Sequence, residues 1–148
     1  MTVTRASSMV NATALIPFVP SGPDFEQALA FFAELGFATT WRNGGLAGLR
    51  FGGAAFMLQD IDVPEWQKNQ MLTLEVDDLD AYWRDIAGKQ LDRRYAGVRL
   101  KEPTDFPWGR EVNIIDPAGV CWHVRQRGPT SRIQRPQRGR AVTTPTPK

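Results

Sequence analysis

Residues 106–124 read FPWGREVNIIDPAGVCWHV, and this stretch decides the fold that the sequence predicts. Its segment DPAG, at residues 116–119, separates two runs in which apolar and polar residues largely alternate. Pro117 presets the second position of a type I turn, and Gly119 can adopt the left-handed conformation that closes a hairpin. The stretch therefore predicts two antiparallel strands joined by a tight turn.

Alternation in the second strand sorts its side chains onto two faces, because successive residues of a strand point in opposite directions. One face is apolar and suits packing under a helix, whereas the other holds the only cysteine and the only histidine of the chain. The helix-facing set is Val120, Trp122 and Val124, and the opposite set is Cys121, His123 and Arg125. The same rule turns Ala14, Ile16, Phe18, Met57, Gln59, Met71, Thr73 and Glu75 away from the helices. We expect these opposite faces to line a shared cavity.

The first half of the chain predicts a strand, a helix and three further strands, in that order. Residues 14–19, ALIPFV, are typical of a short strand. A helix follows from SGP to Gly36, with apolar residues at helical spacing. Gly-rich breaks then separate ATTWRN, LAGLRF and AAFMLQD, which predict three consecutive antiparallel strands. Together these elements make a βαβββ unit.

The second half repeats this order. The segment MLTLEV at residues 71–76 predicts a strand, and Asp77 is the candidate cap of the helix that follows and ends at Gly88. GVRLKE, REVNIID and VCWHVRQ supply the candidate strands after that helix. The segment LDRRYAG before them is ambiguous and is compatible with a loop. The chain therefore contains a second βαβββ unit.

Length and composition favour one compact domain, since 148 residues with 42% hydrophobic content can bury one ordinary core. The single cysteine excludes an intramolecular disulfide, and no segment has the pattern of a secretion signal. The longest purely apolar runs, such as AAFML at residues 54–58, are far too short to cross a bilayer. These features predict a soluble, cytoplasmic protein that has no membrane partner.

The chain divides into a flexible N-terminus at residues 1–12, a folded domain at 13–126 and a basic tail at 127–148. The tail holds six of the 18 Lys and Arg residues and no acidic residue, so the rest of the chain carries a net charge of −4. Its Pro, Arg, Gly and Thr content predicts disorder. A basic arm for nucleic acid is the less favoured alternative, because no aromatic residue lies among the arginines to stack on bases.

The two βαβββ halves, the opening PFVPSGPDFEQALAFFAELGF and above all PWGREVNIIDPAGVCWHV resemble the vicinal-oxygen-chelate superfamily. The bleomycin-resistance branch is the most similar, and the resemblance covers roughly residues 12–126. It implies an α+β fold in which two βαβββ modules form a cupped mixed sheet. It also implies a homodimer that sequesters cationic bleomycin-type antibiotics in grooves at the subunit interface.

Enzymatic relatives in this superfamily hold a divalent metal on the inner faces of the first and last strands of each half, usually through His and Glu. The corresponding places here are Ala14, Met57 or its same-face neighbour Gln59, Met71 and His123. Only His123 is a good ligand, whereas a divalent ion needs several nitrogen or oxygen donors. Glu75 and Glu111 lie off these places. We therefore expect no metal and no other cofactor.

Cys121 and His123 also raise the question of nucleophilic catalysis. Their Cα atoms are expected about 6.5–7 Å apart along one strand, whereas activation of a thiolate needs closer contact between the side chains. Asn113 on the adjoining strand is the only obvious orienting third group. The favoured interpretation is that His123 lines the cavity and Cys121 packs as a small apolar residue, with no catalytic residue in the chain.

Five tryptophans are many for this length, and three of them lie near strand ends or loops rather than at helix-core spacing. Flat conjugated ligands bind well between such rings, since stacking adds roughly 0.5–1.5 kcal/mol beyond the area removed from water. By resemblance, Trp41 and Trp108 match aromatic ligand-contact regions of the resistance proteins; ordinary packing or a dimer contact is the alternative. The predicted ligand-binding residues are Trp41, Leu46, Met57, Gln59, Trp66, Trp108 and His123.

These observations predict a non-catalytic protein that binds a small aromatic or cationic molecule, with bleomycin-like glycopeptides as the leading ligand class. One alternative is a metal-dependent glyoxalase-like or dioxygenase-like enzyme of the same fold. Another is a scaffold or sensor domain that binds no ligand. The fold alone does not choose among these functions.

Overall fold

Two four-stranded sheets with helices beside them form the fold in the computed structural model, which describes residues 9–128. The first half contains β1 (Phe18–Pro20), α1 (Phe25–Leu35), β2 (Ala38–Asn43), β3 (Leu46–Phe51) and β4 (Ala54–Gln59). Its strands lie in the order β1-β4-β3-β2, with β1 parallel to β4 and the other neighbours antiparallel. This half is the first predicted βαβββ module.

The second half has the same topology and follows a short connecting helix, α2 (Pro64–Gln67). It contains β5 (Met71–Val76), α3 (Leu79–Ala87), α4 (Leu91–Arg94), β6 (Arg99–Phe106), β7 (Gly109–Ile115) and β8 (Cys121–Gln126). Its strand order is β5-β8-β7-β6, with β5 parallel to β8. The predicted α+β fold of two βαβββ modules is confirmed.

The first strand is shorter than the sequence predicts, because β1 covers only three residues rather than residues 14–19. Pro17 has no N–H to donate, and only its carbonyl takes part, accepting from the Met57 N–H at 2.8 Å. The parallel ladder with β4 therefore starts at Phe18, which pairs with Met57. β6 also differs from its prediction, since it starts at Arg99 and continues to Phe106.

Aspartates cap both long helices, and the predicted cap of α3 is wrong. α1 starts at Asp24, whose carboxylate accepts from the Gln27 N–H at 3.0 Å, and ends as predicted at Gly36 with φ of 115°. α3 is capped by Asp78 rather than Asp77, because the Asp78 carboxylate is the one that accepts from the next turn. The ambiguous segment LDRRYAG contains the one-turn helix α4.

The DPAG turn is present as predicted, and the Asp116 carboxylate holds it together. Gly119 has φ of 97°, and its N–H donates to the Asp116 carbonyl at 2.9 Å. The Asp116 carboxylate accepts from the N–H groups of Ala118 and Val120 and, at 3.0 Å, from the Trp122 indole. Burial raises the pKa of Asp116 to about 6 although these hydrogen bonds act to lower it. The turn fixes the register of β7 against β8.

Both sheets pack against one hydrophobic core, with Trp122 of β8 in contact with both halves. Its ring centroid lies 5.4 Å from that of Phe32 in α1 and 5.3 Å from that of Phe56 in β4. The helices also meet, since the Tyr82 hydroxyl of α3 donates to the Leu35 carbonyl of α1 at 2.8 Å. Each sheet therefore turns one face to this core, and its alternate residues point away from it.

The two predicted end segments fall largely outside the described residues. Of the N-terminus at 1–12 and the basic tail at 127–148, only residues 9–12 and 127–128 are described. Residues Ile16–Gln126 form one unit, and the predicted domain limits of 13–126 stay a prediction. Within residues 9–128, no helix is long and apolar enough to cross a membrane.

Candidate functional site

The side of the first sheet that points away from the core carries Phe18, Trp41, Leu46, Met57 and Gln59, and we call it the first outer face. Strand register aligns one row of residues across it, in the order Phe18, Met57, Gly48, Trp41. Leu46 and Gln59 form a directly paired couple beside this row. Four of the seven predicted ligand-binding residues therefore lie together on one surface.

The indole of Trp41 lies against Gly48, and this close approach requires a residue without a side chain. A Cβ atom at residue 48 would lie 2.2 Å from Nε1 of Trp41, far inside contact distance. The β2–β3 register shifts between Thr39 and Trp41, at an irregularity that re-aims the strand locally. Trp41 remains 44% exposed. The ring thus covers the sheet on one side and leaves surface for a ligand.

The corresponding side of the second sheet carries Met71, Glu111, Asn113, Cys121 and His123, and we call it the second outer face. Glu111 is only 4% exposed. Its carboxylate accepts from Nδ1 of His123 at 2.9 Å, from Nε1 of Trp108 at 3.0 Å and from the side-chain amide of Asn113 at 3.3 Å. One buried carboxylate therefore positions three side chains of this face.

Burial and hydrogen bonding act in opposite directions on Glu111. Burial works to raise the pKa of its carboxyl, because the charged form loses its hydration. The hydrogen bonds from His123, Asn113 and Trp108 outweigh burial and hold this pKa below its ordinary value. Glu111 is therefore ionised near neutral pH and can only accept. In the neutral imidazole of His123 the proton stands on Nδ1, so Nε2 turns its lone pair outward.

Two sulfur atoms lie beside this outward nitrogen of His123. Nε2 is 3.3 Å from Sδ of Met71 and 3.6 Å from Sγ of Cys121. The register of β5 against β8 produces the arrangement, because Met71 pairs directly with Cys121 and Thr73 pairs with His123. Met71 is 67% exposed, so this group of three side chains reaches the surface.

Trp108 lies in the turn between β6 and β7, and two contacts fix its ring. The ring stacks on Phe106, with 4.9 Å between centroids and 5° between planes. Its Nε1 donates to Glu111. Trp108 is nevertheless 63% exposed. Trp66, the remaining predicted residue, is 65% exposed and lies in α2, between the two sheets in the chain.

The seven predicted residues thus fall into three groups rather than one. Trp41 and its neighbours occupy the first outer face, Trp108 and His123 meet through Glu111 at the second, and Trp66 belongs to α2. The core lies between the two outer faces, since Phe56 of one sheet contacts Trp122 of the other. A cavity lined by both outer faces therefore requires a second chain.

Cys121 and His123 come closer than their spacing along a strand suggests, with 3.6 Å between Sγ and Nε2. The thiol of Cys121, the imidazole of His123 and the carboxylate of Glu111 therefore contact one another in that order. The predicted third group, Asn113, is wrong, because Glu111 takes that place. Asn113 lies 3.3 Å from Nδ1, farther than Glu111. Burial raises the pKa of the Cys121 thiol, and the charges of Glu111 and Asp116 raise it further. These surroundings oppose formation of a thiolate nucleophile.

The places implied for a divalent metal do not supply a suitable set of donors. Met57 and Gln59 lie on the first outer face, Met71 and His123 lie on the second, and Ala14 carries only a methyl group. Within residues 9–128, no three His, Cys, Asp or Glu side chains are placed to hold a metal ion. Hard divalent ions prefer oxygen ligands, which a thioether does not replace. The residues present do not fit this metal.

Sequence reasoning missed the central position of Glu111, which it set aside because this residue lies off the family ligand places. The signal was present in the alternation of residues along β7. Glu111 and Asn113 are two residues apart, and the DPAG turn pairs Asn113 with His123, so all three share a face. The stack of Trp108 on Phe106 had no comparable signal, because it depends on the path of the turn that joins the two residues.

Solved structures, but no family model and no curated protein, match this chain. The chain is similar to a bleomycin-binding protein from bleomycin-producing Streptomyces verticillus, whose structure was solved in complex with copper(II)-bleomycin. That pair has 25% identity and a TM-score of 0.67 over 81% of this chain and 100% of the other. A glyoxalase/bleomycin resistance protein from Catenulispora acidiphila has 26% identity and a TM-score of 0.59 over 79% of this chain and 100% of its own.

A fosfomycin resistance protein from Listeria monocytogenes, complexed with Mn(II) and sulfate, is a more distant structural neighbour. It has 12% identity and a TM-score of 0.63 over 85% of this chain and 98% of its own. These neighbours have the vicinal-oxygen-chelate fold, and the predicted resemblance to that fold is confirmed. They include an antibiotic-binding protein and a manganese-bound protein, so the fold is compatible with binding and with metal chemistry.

Proposed function

We propose that the protein binds a flat, cationic molecule of the bleomycin class and releases it unchanged. The observation that carries this proposal is the ordered, exposed ring of Trp108. A parallel stack on Phe106 and a hydrogen bond to Glu111 hold this ring although it is 63% exposed. An aromatic surface that is already fixed loses little conformational entropy when a ligand stacks on it.

The first outer face supplies a second ring of the same kind. Trp41 lies flat enough against Gly48 that any side chain at residue 48 would collide with it. The row continues through Met57 to Phe18, which gives an apolar floor about four strands wide. Gln59 lies next to this row and adds a polar group that can orient a ligand.

Both rings act on one ligand only if two chains associate, since the core separates the outer faces of a single chain. We place the first outer face of one protomer opposite the second outer face of its partner, and a twofold axis then creates two equivalent grooves. Exposed apolar side chains support such an interface, with Ile16 40% and Phe18 52% exposed. Groups of exposed apolar residues mark interaction surfaces.

Charge and chemical inertness agree with sequestration of a cation. Residues 1–126 carry a net charge of −4, which attracts a cationic ligand through solvent. The raised pKa of Cys121 disfavours covalent attack, and the divalent-metal places lack hard donors. The copper(II)-bleomycin complex of the Streptomyces verticillus neighbour supports the choice of ligand class.

A fluorescence titration of the full chain with bleomycin tests this proposal. Saturable quenching at micromolar drug is the expected result. Trp108→Ala should weaken binding by about 2 kcal/mol, or roughly 30-fold, if the ring is an anchor. Trp83→Phe is a matched control, because Trp83 lies in α3 and packs against the core, and its affinity should be unchanged.

Three results would count against the proposal in different ways. Absence of saturable quenching at micromolar drug rejects the antibiotic ligand and favours a domain without a ligand. Equal affinity of wild type and Trp108→Ala rejects the site. A change in the mass of the drug after incubation shows that the protein is an enzyme.

A further inference from the structure

A thioether, a thiol and an imidazole lie together on the second outer face, which also carries the Trp108 side of the proposed groove. Met71 and Cys121 are direct partners across β5 and β8, and His123 follows Cys121 on the same side of β8. Nε2 of His123 lies 3.3 Å from Sδ of Met71 and 3.6 Å from Sγ of Cys121. Strand register produces this arrangement, so the backbone as well as the side chains fixes it.

The atoms that lie together here are ones that can bind a metal ion. Nδ1 of His123 lies 2.9 Å from the Glu111 carboxylate, and Nε2 is the ring nitrogen that lies next to the two sulfur atoms. A thioether sulfur has only lone pairs, and Met71 therefore offers nothing to this nitrogen. The 3.3 Å between Nε2 and Sδ brings two atoms that can each bind a metal ion into contact.

We infer that Met71, Cys121 and His123 form a binding site for a monovalent copper ion. Thiolate and thioether are soft ligands that suit Cu(I), and imidazole also binds copper, whereas Mg²⁺, Ca²⁺ and Mn²⁺ prefer oxygen. Metal–nitrogen bonds of about 2.0 Å and metal–sulfur bonds of about 2.3 Å, at angles between tetrahedral and trigonal, hold the nitrogen roughly 3.5–3.7 Å from each sulfur. The observed separations are close to this range, so small side-chain shifts complete the site.

Glu111 gives the site the outer support that metal-binding histidines use. A carboxylate that accepts from the far nitrogen of the ring fixes the tautomer and the ring orientation and makes Nε2 a stronger donor. Glu111 is 4% exposed and is itself held by Trp108 and Asn113. The ion can enter from solvent on the side of Met71, which is 67% exposed.

Binding is a simple exchange of a proton for copper. The S–H bond of Cys121 breaks, its proton goes to solvent, and a Cu–S bond forms with the remaining electron pair. Met71 and His123 bind through lone pairs that they already have. No atom changes oxidation state. The inference is independent of the proposed antibiotic ligand and of any reaction.

The test is an anaerobic titration of the full-length protein with Cu(I) in competition with a chromophoric Cu(I) chelator. We expect one Cu(I) per chain and a thiolate-to-copper absorption band in the ultraviolet. Cys121→Ser and His123→Gln should each weaken binding by about 100-fold or more, and Met71→Leu by about 10-fold. Glu111→Gln should weaken it by about 10–100-fold through the orientation of His123.

Met9→Leu is the matched control, because Met9 is an exposed methionine that belongs to neither sheet, and this variant should bind Cu(I) like wild type. Met71 is exposed, so Met71→Leu keeps the fold and carries the test even if Glu111→Gln unfolds. The inference is overturned by the absence of stoichiometric Cu(I), or by affinity that Cys121→Ser and Met71→Leu leave unchanged. Tighter retention of Zn²⁺ than of Cu(I) at this site also overturns it.

Discussion

The carboxylate of Glu111 lies 2.9 Å from Nδ1 of His123, and this pair connects the interior of the second sheet with its surface. Glu111 is the buried end, at 4% exposure, while the Met71 sulfur beside the opposite nitrogen of His123 belongs to a residue that is 67% exposed. The same carboxylate holds Trp108. The stability of the fold, the position of the Trp108 ring and the orientation of His123 therefore all depend on the Glu111 side chain.

Replacement of Glu111 by Gln should lower the free energy of unfolding by about 1–3 kcal/mol, because one acceptor becomes a donor among groups that all donate. The stability should also lose part of its pH dependence. The pKa of Glu111 is lower in the folded chain than its ordinary value of 4.5, so its stabilising contribution is present above pH 4.5 and is lost as pH falls below it. Urea unfolding of wild type and variant between pH 3 and 7 measures both effects, and parallel pH curves would contradict the argument.

Asp116 should make the stability depend on pH in the opposite direction to Glu111. Burial raises its pKa from 3.8 to about 6, so the folded chain holds the proton more tightly than the unfolded chain does. Its stabilising contribution is complete below pH 3.8 and is lost as pH rises through about 6. Asp116→Asn removes this titration but weakens the bond to Trp122. The stability of wild type minus that of the variant should therefore fall between about pH 4 and 6 in unfolding experiments, and a rise in that window would show the assignment to be wrong.

The elements with strong local patterns could be predicted from the sequence, and the failures have local physical causes. Alternation and a tight turn specify β7 and β8, and DPAG supplies both the turn and the register. Adjacent aspartates at residues 77 and 78 are chemically equivalent as helix caps, so only the backbone decides between them. The three-residue β1 is shorter than predicted, since only Phe18, Val19 and Pro20 pair with β4.

The candidate site was harder to predict than the fold because its contacts join residues that no short motif relates. The position of the Trp41 ring depends on Gly48, which lies on the neighbouring strand beyond a shift in register. The arrangement at His123 depends on Met71, and the two residues are 52 positions apart in the chain. The pattern within one strand predicts the face on which a residue lies. It does not predict the residue opposite it in a parallel pair of strands, because the fold determines that pairing.

Gly48→Ala should displace the Trp41 ring, because the new Cβ atom would lie 2.2 Å from Nε1. The cost in folding stability should be modest, since Trp41 is 44% exposed and can move into solvent. Bleomycin affinity should nevertheless fall about 10-fold if the placed ring stacks on the drug. Gly53→Ala is the control, because a Cβ atom there meets nothing within 4 Å. Equal drug affinity of Gly48→Ala and Gly53→Ala would exclude Trp41 from the site.

Purified protein should contain no stoichiometric zinc, iron, nickel or manganese. Three of the four places implied for a divalent metal hold Ala or Met, or at best Gln, so they do not supply the several nitrogen or oxygen donors that a divalent ion needs. Elemental analysis after dialysis without chelator measures this directly. One tightly held divalent ion per chain that disappears in His123→Gln would contradict the prediction and favour a metal-dependent enzyme.

Truncation after Gln126 should leave the proposed dimer intact and should strengthen the binding of a cationic drug. The proposed interface uses the outer faces of residues 16–126, whereas residues 127–148 add six positive charges and no negative charge. Without them the chain carries a net charge of −4 rather than +2, so positive charge no longer offsets the attraction of residues 1–126 for a cation. Sedimentation gives the oligomeric state, and drug titrations at low and high salt give the electrostatic part of the binding free energy. The affinities of the full and shortened chains should differ several-fold at 0.01 M salt and converge near 1 M, where the Debye length is about 3 Å. A shortened chain that becomes monomeric would show that the tail builds the dimer, and a salt-independent difference would show that it contacts the drug directly.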